Sequence, residues 1–311
     1  MDTEQKQPLV SVIIPNYNHA RYLGQRLDSV FGQTYQNFEV IILDDCSTDN
    51  SLEVINRYKD NPHLSQIVVN ETNSGSVFKQ WDKGINLANG ELIWIAESDD
   101  YCELNLLEEL VRAFKHQKNT VLAYNTTVVL HDDGFEANKI HIGSNQYMSG
   151  MRYIKHYLSL FNWVMNASCA IFSKEAALNA KPDYKEYNGA GDYLFWVEIA
   201  KQGNVAIINQ RLSYFCRHEG SVTSRKDIDG TNQHEVMKIN NYIFSLVHIA
   251  YCRKRLIYTY HKQWFDNHNY LSEEIYQSVA ALWSFEKYNT FFDRFLLNHS
   301  RRLRKYLNYY V

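Results

Sequence analysis

Four short apolar stretches, each followed by an amphipathic helical pattern, limit what this chain can fold into. The stretches are LVSVII (9–14), FEVIILDD (38–45), QIVVN (66–70) and LIWIAE (92–97). Runs of apolar and β-branched residues without polar alternation are typical of strands that are buried on both faces of a sheet. Strands joined through helices form parallel pairs with right-handed crossovers. The sequence therefore predicts an α/β domain with a mostly parallel central sheet flanked by helices.

The pattern is less regular in the second half of the chain. A fifth apolar stretch, VLAYNTTVVL (121–130), precedes a polar loop, and GAGDYLFWVEIAKQG (189–203) leads into an aromatic helix. A final pair of strands is predicted at 205–209 and 212–218, and from about residue 232 the pattern is helical. We therefore expect an α/β part followed by a helical C-terminal extension.

Composition excludes several classes of protein. The chain has 311 residues, 45% of them hydrophobic, and its net charge of −3 is too close to neutral for a nucleic-acid-binding protein. Its five cysteines are odd in number and form no CxxC pair, which argues against a disulfide framework or a zinc site. The sequence has neither a signal-peptide pattern nor an apolar run of about 18 residues. Together these features favour a cytoplasmic protein.

Polar residues follow three of the predicted strands, at 16–18, 44–45 and 99–100. In open parallel sheets, ligands bind at the carboxyl ends of strands, so we expect these residues at one edge. An Asp there can instead cap the next helix, and for Asp45 or Asp49 alone both interpretations stay open. The adjacent carboxylates at 99–100 repel each other, and burial raises the energetic cost. A hard divalent cation with a phosphate ligand would neutralise them.

Two common nucleotide-binding signatures are absent from the sequence. It contains no GxxxxGK[ST] phosphate loop. The only GxG is at 189–191, where it lacks a third glycine and does not follow the first strand. A dinucleotide-binding domain is therefore not predicted.

Three segments together resemble the start of a family 2 glycosyltransferase with a GT-A fold. They are VSVIIPNYNHARYLGQRLDSVFGQTYQNFEVIILDDCSTDNSLEVI, NETNSGS and ANGELIWIAESDD. The resemblance is close over 9–115 and looser to about 224. It implies a catalytic domain at 1–234, with a nucleotide-binding half at about 9–115 and an acceptor half at about 120–224, before the extension at 235–311. The implied activity is transfer of a sugar from a nucleotide-diphosphate donor to an acceptor hydroxyl, with inversion at the anomeric carbon.

The resemblance assigns roles to residues at matching positions. Pro15 and Tyr17 correspond to the loop that contacts the nucleoside, with the Tyr17 ring against the base. Asp45 corresponds to the residue that hydrogen-bonds the base, which is usually uracil. Asp99 matches the ribose contact, and Asp100 matches the acid that binds Mn²⁺ or Mg²⁺ between the phosphates. On this interpretation the metal and the diphosphate together neutralise the acid pair.

The resemblance also places the general base at Asp192. Such a carboxylate removes the proton of the acceptor hydroxyl while its oxygen attacks. An ordinary Asp pKa of about 3.9 makes a weak base, so partial burial beside Phe195 and Trp196 would help. From the residues alone, Asp192 could equally cap the helix that follows it.

Further candidates lie in three other segments. FCRHEGSVTS (215–224) resembles a segment that many family members place over the diphosphate, with Arg217 on a phosphate and His218 on the metal. An exposed His at a strand end is the alternative. Where the family usually has an Arg, this chain offers Lys83, a point charge in place of a bidentate fork. Trp163 could stack on a sugar or belong to the core.

The extension at 235–311 is aromatic and basic, and ends in HSRRLRKYLNYYV. One interpretation is a set of helices that pack on the catalytic domain with a solvated basic face. The other is a peripheral contact with the inner face of a membrane, through Lys and Arg on anionic headgroups. The second would suit a lipid-linked glycan acceptor, which many family members use.

The sequence thus favours a metal-dependent inverting glycosyltransferase that uses a UDP-sugar in assembly of a bacterial cell-surface polysaccharide. One alternative is a sugar-1-phosphate nucleotidyltransferase, but PNYNHARY lacks the glycine- and arginine-rich phosphate loop that this enzyme needs. Another is a GT-A module that binds a nucleotide sugar without catalysis.

Overall fold

The computed structural model describes residues 7–131, 136–137, 143–217, 226–266, 269–282, 291 and 295. The strands are β1 (Val10–Asn16), β2 (Phe38–Asp44), β3 (Leu64–Val69), β4 (Leu92–Ile95), β5 (Tyr101–Cys102), β6 (Thr120–His131), β7 (Glu136–Ala137), β8 (Gln146–Ser149), β9 (Ala170–Ser173) and β10 (Asn204–Arg217). The α-helices are α1 (Ala20–Phe31), α2 (Ser51–Asn56), α3 (Val77–Leu87), α4 (Leu106–His116), α5 (Gly150–Tyr153), α6 (Lys174–Leu178), α7 (Gly191–Ala200), α8 (Thr231–Leu246), α9 (Tyr251–Asp266) and α10 (Glu273–Leu282). Short 3₁₀ or π-helical turns lie at Ile154–Leu158, Ala167–Cys169 and Pro182–Glu186.

A single mixed sheet lies at the centre of the fold, in the order β3-β2-β1-β4-β9-β6-β10-β5. The first four of these strands are parallel, as the sequence predicts. Strand β9 then lies antiparallel between β4 and β6. Beyond it, β6 and β10 pair in parallel, and β5 is antiparallel to β10. The predicted α/β class is confirmed, and antiparallel strands, β5 and β9 among them, make the sheet mixed.

Strand β10 corrects one prediction. The sequence predicts two strands, at 205–209 and 212–218, whereas β10 is continuous from Asn204 to Arg217. Its register with β6 shifts between Ile208 and Arg211, where the polar residues lie. An irregularity of this kind inserts residues without reversing the chain. The polar residues therefore mark an irregularity within one strand and not a break between two strands.

Strands β1, β2 and β4 are buried on both faces because helices cover both sides of the sheet, whereas residues of the edge strand β3 alternate between partly buried and exposed. Along β1, Ile13 belongs to one buried cluster while Val12 and Ile14 belong to the other. Helix α3 packs directly on this strand, and a Cβ at Gly84 would lie 2.4 Å from Cγ2 of Ile13. Two-sided burial explains why the strand sequences show no polar alternation.

Helix α8 crosses the boundary that the sequence predicts between residues 234 and 235. Its residues Ile239 and Ile243 are fully buried in the same cluster as Phe195 and Trp196 of α7. Helical structure after residue 231 agrees with the predicted helical extension. Residues on both sides of the predicted boundary thus share one core.

Basic residues at the start of α9 contact neighbouring protein groups. Arg253 donates from Nη2 to the carbonyl oxygen of His156 over 2.9 Å, and the Lys254 ammonium lies 4.9 Å from the centre of the Phe244 ring. These contacts agree with helices that pack on the catalytic domain. Within the ranges described above, no helix has the length and apolarity needed to cross a bilayer. The terminal HSRRLRKYLNYYV lies outside the described residues.

Candidate functional site

The ends of β1 and β2 are joined by buried side chains at the carboxyl edge of the sheet. Asn16 donates from Nδ2 to Oδ2 of Asp44 over 2.8 Å and approaches Oγ of Ser47 at 3.1 Å. Pro15 is buried within β1, opposite Leu43 in the parallel register. The two loops that follow these strands are therefore fixed relative to each other.

Tyr17 lies exposed at this edge, in a loop that reciprocal caps hold in place. Asn18 has a φ of +56°, a left-handed conformation that Asn tolerates, and its Oδ1 accepts the backbone N–H of Thr48 over 2.7 Å. In return, Oδ2 of Asp49 accepts the N–H of Ala20 over 2.9 Å. Asp49 thus has the capping role that the sequence left open. The Tyr17 ring, 46% exposed, is available to stack on a planar ligand.

Asp45 is buried and binds the turn after β3. Its Oδ1 accepts from Nδ2 of Asn70 (2.6 Å), from the N–H of Ser74 (2.9 Å) and from Nε2 of Gln80 (3.0 Å). Lys83 donates from Nζ to Oδ1 of the same Asn70 over 2.6 Å. The structure therefore brings together two residues predicted for nucleotide binding, Asp45 and Lys83, through Asn70. Their predicted contacts with the nucleotide stay predictions.

Asp100 is enclosed by protein groups. Its Oδ2 accepts from Nδ2 of Asn166 over 2.5 Å and from Oγ of Ser168 over 2.6 Å, and its Oδ1 accepts the N–H of Cys216 over 3.1 Å. Burial, together with the charge of Asp99, raises the pKa of Asp100 to about 7. Asp100 therefore joins its own loop to the segment 166–168 and to β10, below the surface of the site.

A buried arginine partly neutralises this acid cluster. Arg26 of α1 is fully buried, with its Nη2 atom 3.9 Å from Oδ2 of Asp100, and its Nε donates to the carbonyl oxygen of Glu97 over 2.9 Å. Sequence reasoning missed Arg26, although its spacing places it on the apolar face of the helix with Leu23 and Leu27. A charged residue on such a face indicates a buried partner.

Glu97 is a second residue that sequence reasoning missed. Its Oε1 accepts from Nε1 of Trp81 over 2.8 Å, and burial together with the charge of Asp99 raises its pKa to about 8. Ser98, next in the chain, shares a 2.8 Å hydrogen bond with Nδ1 of His19. This bond ties the acid segment to the loop that holds the exposed tyrosine. The negative charge at 97–100 is thus concentrated beside that loop.

Asp99 and Asp100, the predicted ribose contact and the predicted metal ligand, differ in exposure. The Asp100 side chain is 1% exposed and accepts hydrogen bonds through both oxygens, whereas Asp99 is partly exposed. Asp99 is therefore the more accessible of the two acids, and the assignment of Asp100 as the metal ligand stays a prediction. Within the described parts of the chain, no group of three or more His, Cys, Asp or Glu residues could hold a metal ion. An ion here would need further oxygen ligands from a bound molecule.

Asp192 lies in the first turn of α7, as predicted, at the edge of a buried aromatic layer. Phe195 and Trp196 of the same helix are fully buried, and Nδ2 of Asn162 donates to Oδ2 of Asp192 over 2.8 Å. Burial raises the pKa of Asp192 to about 6, although a helix N-terminus and the Asn162 hydrogen bond both favour the charged form. The carboxyl is therefore a stronger base than an ordinary Asp.

One short segment connects this carboxyl with the acid cluster. It begins at Asn162, the partner of Asp192, and continues to Asn166 and Ser168, the partners of Asp100. Trp163 within it is buried, and its Nε1 donates to the carbonyl oxygen of Tyr157 over 3.2 Å. The structure thus assigns Trp163 to the core and not to a sugar platform.

Arg217 ends β10 next to Cys216, whose N–H binds Asp100. Its Nη2 lies 3.9 Å from Oδ2 of Asp227, and its side chain is 36% exposed. Arg217 is therefore close to the acid cluster, and its contact with a phosphate stays a prediction. His218, the other predicted metal ligand, lies outside the described residues.

Residues 11–179, more than half of the chain, match the family described as glycosyl transferase family 2. The chain belongs to this family. The match covers β1 to β9, and therefore the acid cluster and the segment that encloses it, and ends before Asp192.

Two curated relatives are similar to part of this chain. It is 35% identical over 117 residues to Glycosyltransferase GlyG of Streptococcus pneumoniae serotype 4, which is 38% of each protein. It is 37% identical over 128 residues to Chondroitin synthase of Pasteurella multocida, which is 41% of this chain and 13% of the synthase. The chain thus spans much less than two thirds of the length of either relative.

A solved structure shows the same fold. The chain matches Staphylococcus aureus TarS 1–349 in complex with UDP-GlcNAc with a TM-score of 0.68 and 20% identity, over 88% of this chain and 80% of TarS 1–349. The predicted GT-A fold of this family 2 member is therefore confirmed.

Proposed function

We propose that this protein is an inverting glycosyltransferase that moves a sugar from a nucleotide-diphosphate donor to an acceptor hydroxyl during synthesis of a bacterial cell-surface polysaccharide. The observation that carries the proposal is the segment 162–168, which binds both Asp192 and Asp100. A UDP-sugar is the favoured donor, since TarS 1–349, which shares the fold, binds UDP-GlcNAc. The similarity to a chondroitin synthase supports a polysaccharide product.

The donor side of the proposed site is the carboxyl edge of β1, β2 and β4. Tyr17 would stack on the base, and the Asp45 and Lys83 region would face the nucleoside. Asp99 would hold Mn²⁺ or Mg²⁺ with Glu97 beside it. Burial and, after it, the charge of Asp99 raise the pKa of Glu97, and a cation would relieve the second of these causes. Once bound, such an ion would stabilise the charge of the departing diphosphate. Arg217 would add a phosphate contact.

Asp192 supplies the acid–base chemistry in this proposal. Its carboxylate accepts the proton of the acceptor hydroxyl as the hydroxyl oxygen attacks the anomeric carbon. The bond from that carbon to the diphosphate oxygen breaks on the opposite face, so the configuration inverts. Asn162 holds the carboxylate in orientation, and a pKa of about 6 leaves it ionised at neutral pH while improving it as a base.

The acceptor is proposed to be a glycan or a lipid-linked glycan. We propose in addition that the C-terminal extension contacts the membrane. Liposome flotation with anionic vesicles tests that contact by comparing the full chain with an R301Q/R302Q/R304Q variant. Truncation at residue 234 is unsuitable because it divides α8. Equal flotation of both proteins would rule out the contact through these arginines.

Turnover of sugar nucleotides tests the function. We expect release of UDP from a UDP-sugar, stimulated by Mn²⁺ and abolished in Asp192→Asn. Binding without turnover would indicate a nucleotide-sugar-binding module. Release of pyrophosphate from UTP and a sugar-1-phosphate would indicate a nucleotidyltransferase instead.

A further inference from the structure

Glu235 of α8 binds the turn that precedes the candidate base. Its Oε1 accepts the N–H of Asn188 over 2.7 Å, and its Oε2 accepts the N–H groups of Gly189 (2.9 Å) and Ala190 (2.7 Å). Glu235 is 7% exposed. Three consecutive backbone donors therefore converge on one buried carboxylate from a helix that lies more than 40 residues later in the chain.

The turn packs closely against both α8 and α3. A Cβ at Gly189 would lie 1.8 Å from Oδ1 of Asn232 on α8, and a Cβ at Gly191 would lie 2.6 Å from Cε2 of Phe78 on α3. These contacts explain why both outer positions of the GAG sequence are glycine. The turn is enclosed between the C-terminal helices and the nucleotide-binding half.

Glu235 holds the backbone turn that leads into helix α7. Ala190, its N-cap, has no side chain able to bind the free N–H groups, and no side-chain cap hydrogen bond is formed there. The turn held by Glu235 leads directly into Gly191 and Asp192. The position of the Asp192 carboxyl is thus set by contacts that the C-terminal helices make.

We propose that Glu235 is a positioning residue that fixes Asp192 relative to the acceptor hydroxyl, so that α8 is part of the catalytic unit. This inference rests on the proposed function. Besides geometry, the charge of Glu235 matters. Burial is the main cause of the raised pKa of Asp192, local hydrogen bonds lower that pKa, and the charge of Glu235 adds a smaller rise. Titratable groups that interact electrostatically with Asp192 include Glu235 on α8 and Tyr193 on its own helix.

The test compares Glu235→Gln with a matched control, Glu198→Gln. Glu198 lies further along α7, is also buried, and accepts from Lys201 Nζ and Tyr242 Oη. Each variant removes one buried carboxylate that has protein partners. For both variants and the wild type, kcat, donor KM, the pH profile and the melting temperature are measured.

We expect Glu235→Gln to lower kcat by about tenfold or more with little change in donor KM, since small displacements of a reacting group are costly. The acidic limb of its pH profile should move to lower pH, because a negative charge near Asp192 is lost. Glu198→Gln should lose stability and keep both kcat and the limb. If the two variants behave alike in kcat and in the limb, Glu235 has only a structural role.

Two additions separate failure of this inference from failure of the proposed function. The Asp192 carboxyl is titrated by ¹³C NMR, with Asp192→Asn as the assignment control, which needs no turnover. An unmoved titration in Glu235→Gln overturns the positioning role, whereas absence of turnover in the wild type overturns the function. Should Glu235→Gln not fold, Glu235→Asp keeps the charge and shortens the side chain. A lower kcat of Glu235→Asp with an unchanged acidic limb of the pH profile then supports the inference, and a wild-type kcat of this variant overturns it.

Discussion

Asn162 donates a hydrogen bond from Nδ2 to Oδ2 of Asp192 over 2.8 Å. Four residues later, Asn166 donates to Oδ2 of Asp100 over 2.5 Å. A chain spans at most about 3.5 Å per residue, so these two asparagines are within about 14 Å of each other. The candidate base and the acid cluster therefore belong to one site, held together by a single short segment.

Removal of the Asn162 amide should weaken Asp192 as a base at mildly acidic pH. The amide stabilises the charged carboxylate, so Asn162→Ala should raise the pKa of Asp192 further above about 6. The acidic limb of the pH–kcat profile should move to higher pH, opposite to the shift expected for Glu235→Gln. An unmoved limb, with the melting temperature retained, would contradict an orienting role for Asn162.

Asp192→Asn should stabilise the fold at neutral pH while it abolishes turnover. The folded carboxyl has a pKa of about 6 and an ordinary value of 3.8, so the folded state binds more protons between these values. The contribution of Asp192 to stability therefore falls as pH rises from about 4 to 6, and above pH 6 the ionised group is unfavourable by about 1 kcal/mol after allowance for partial solvation. Urea unfolding at pH 7.5 and pH 4 checks this. Greater stability of the variant only at pH 4 would contradict it.

Arg26→Met should destabilise the protein strongly. The substitution leaves Asp100 without its buried cation and the Glu97 carbonyl without a donor, and loss of one partner of a buried pair costs about 3–5 kcal/mol. Arg21→Met is the matched control on the same helix, because Arg21 is exposed and its loss should change the free energy of unfolding by no more than about 0.5 kcal/mol. Denaturant unfolding of both variants is the measurement. Equal stability of the two would show that Arg26 is not the neutralising charge.

Substitutions at Asp99 and at Asp100 should have different effects on metal-dependent nucleotide binding. UDP with Mn²⁺ should raise the melting temperature of the wild type more than UDP alone, as a ligand of the folded state does. Without ligand, Asp99→Asn should melt at the wild-type temperature. It should lose the additional rise in melting temperature that Mn²⁺ causes with UDP. Asp100→Asn should start from a lower melting temperature, because it disturbs the bonds to Asn166 and Ser168, and should keep the additional rise. The reverse result would support Asp100 as the ligand.

Tyr17→Ala should weaken donor binding without loss of stability. Stacking on a base is worth about 1–3 kcal/mol, so we expect Kd for UDP to rise about tenfold, and the exposed ring leaves no cavity when removed. Tyr17→Phe keeps the ring and should bind like the wild type. Calorimetric titration of UDP measures both. An unchanged Kd in the alanine variant would place the base elsewhere.

Local patterns were sufficient to predict a large part of this protein. Uninterrupted apolar runs identified the buried strands of the parallel half, and the rule that parallel strands end at one edge placed Tyr17, Asp45 and the acids there. Burial of Asp192 beside aromatic residues followed from its position at the start of an apolar helix. These features depend on residues close in sequence, whose spacing shows which face they occupy.

Tertiary structure decided what those residues do. Arg26 meets Asp100 across 74 positions, and Glu235 reaches the turn before Asp192 across more than 40. Which acid of the adjacent pair is enclosed depends on Asn166, Ser168 and the backbone of β10, segments distant in sequence. The sequence alone determined where the charges would collect, because the direction of a strand fixes which end its polar residues occupy. The tertiary structure decided which charges are buried and which are accessible, because burial and pairing arise only when distant segments pack together.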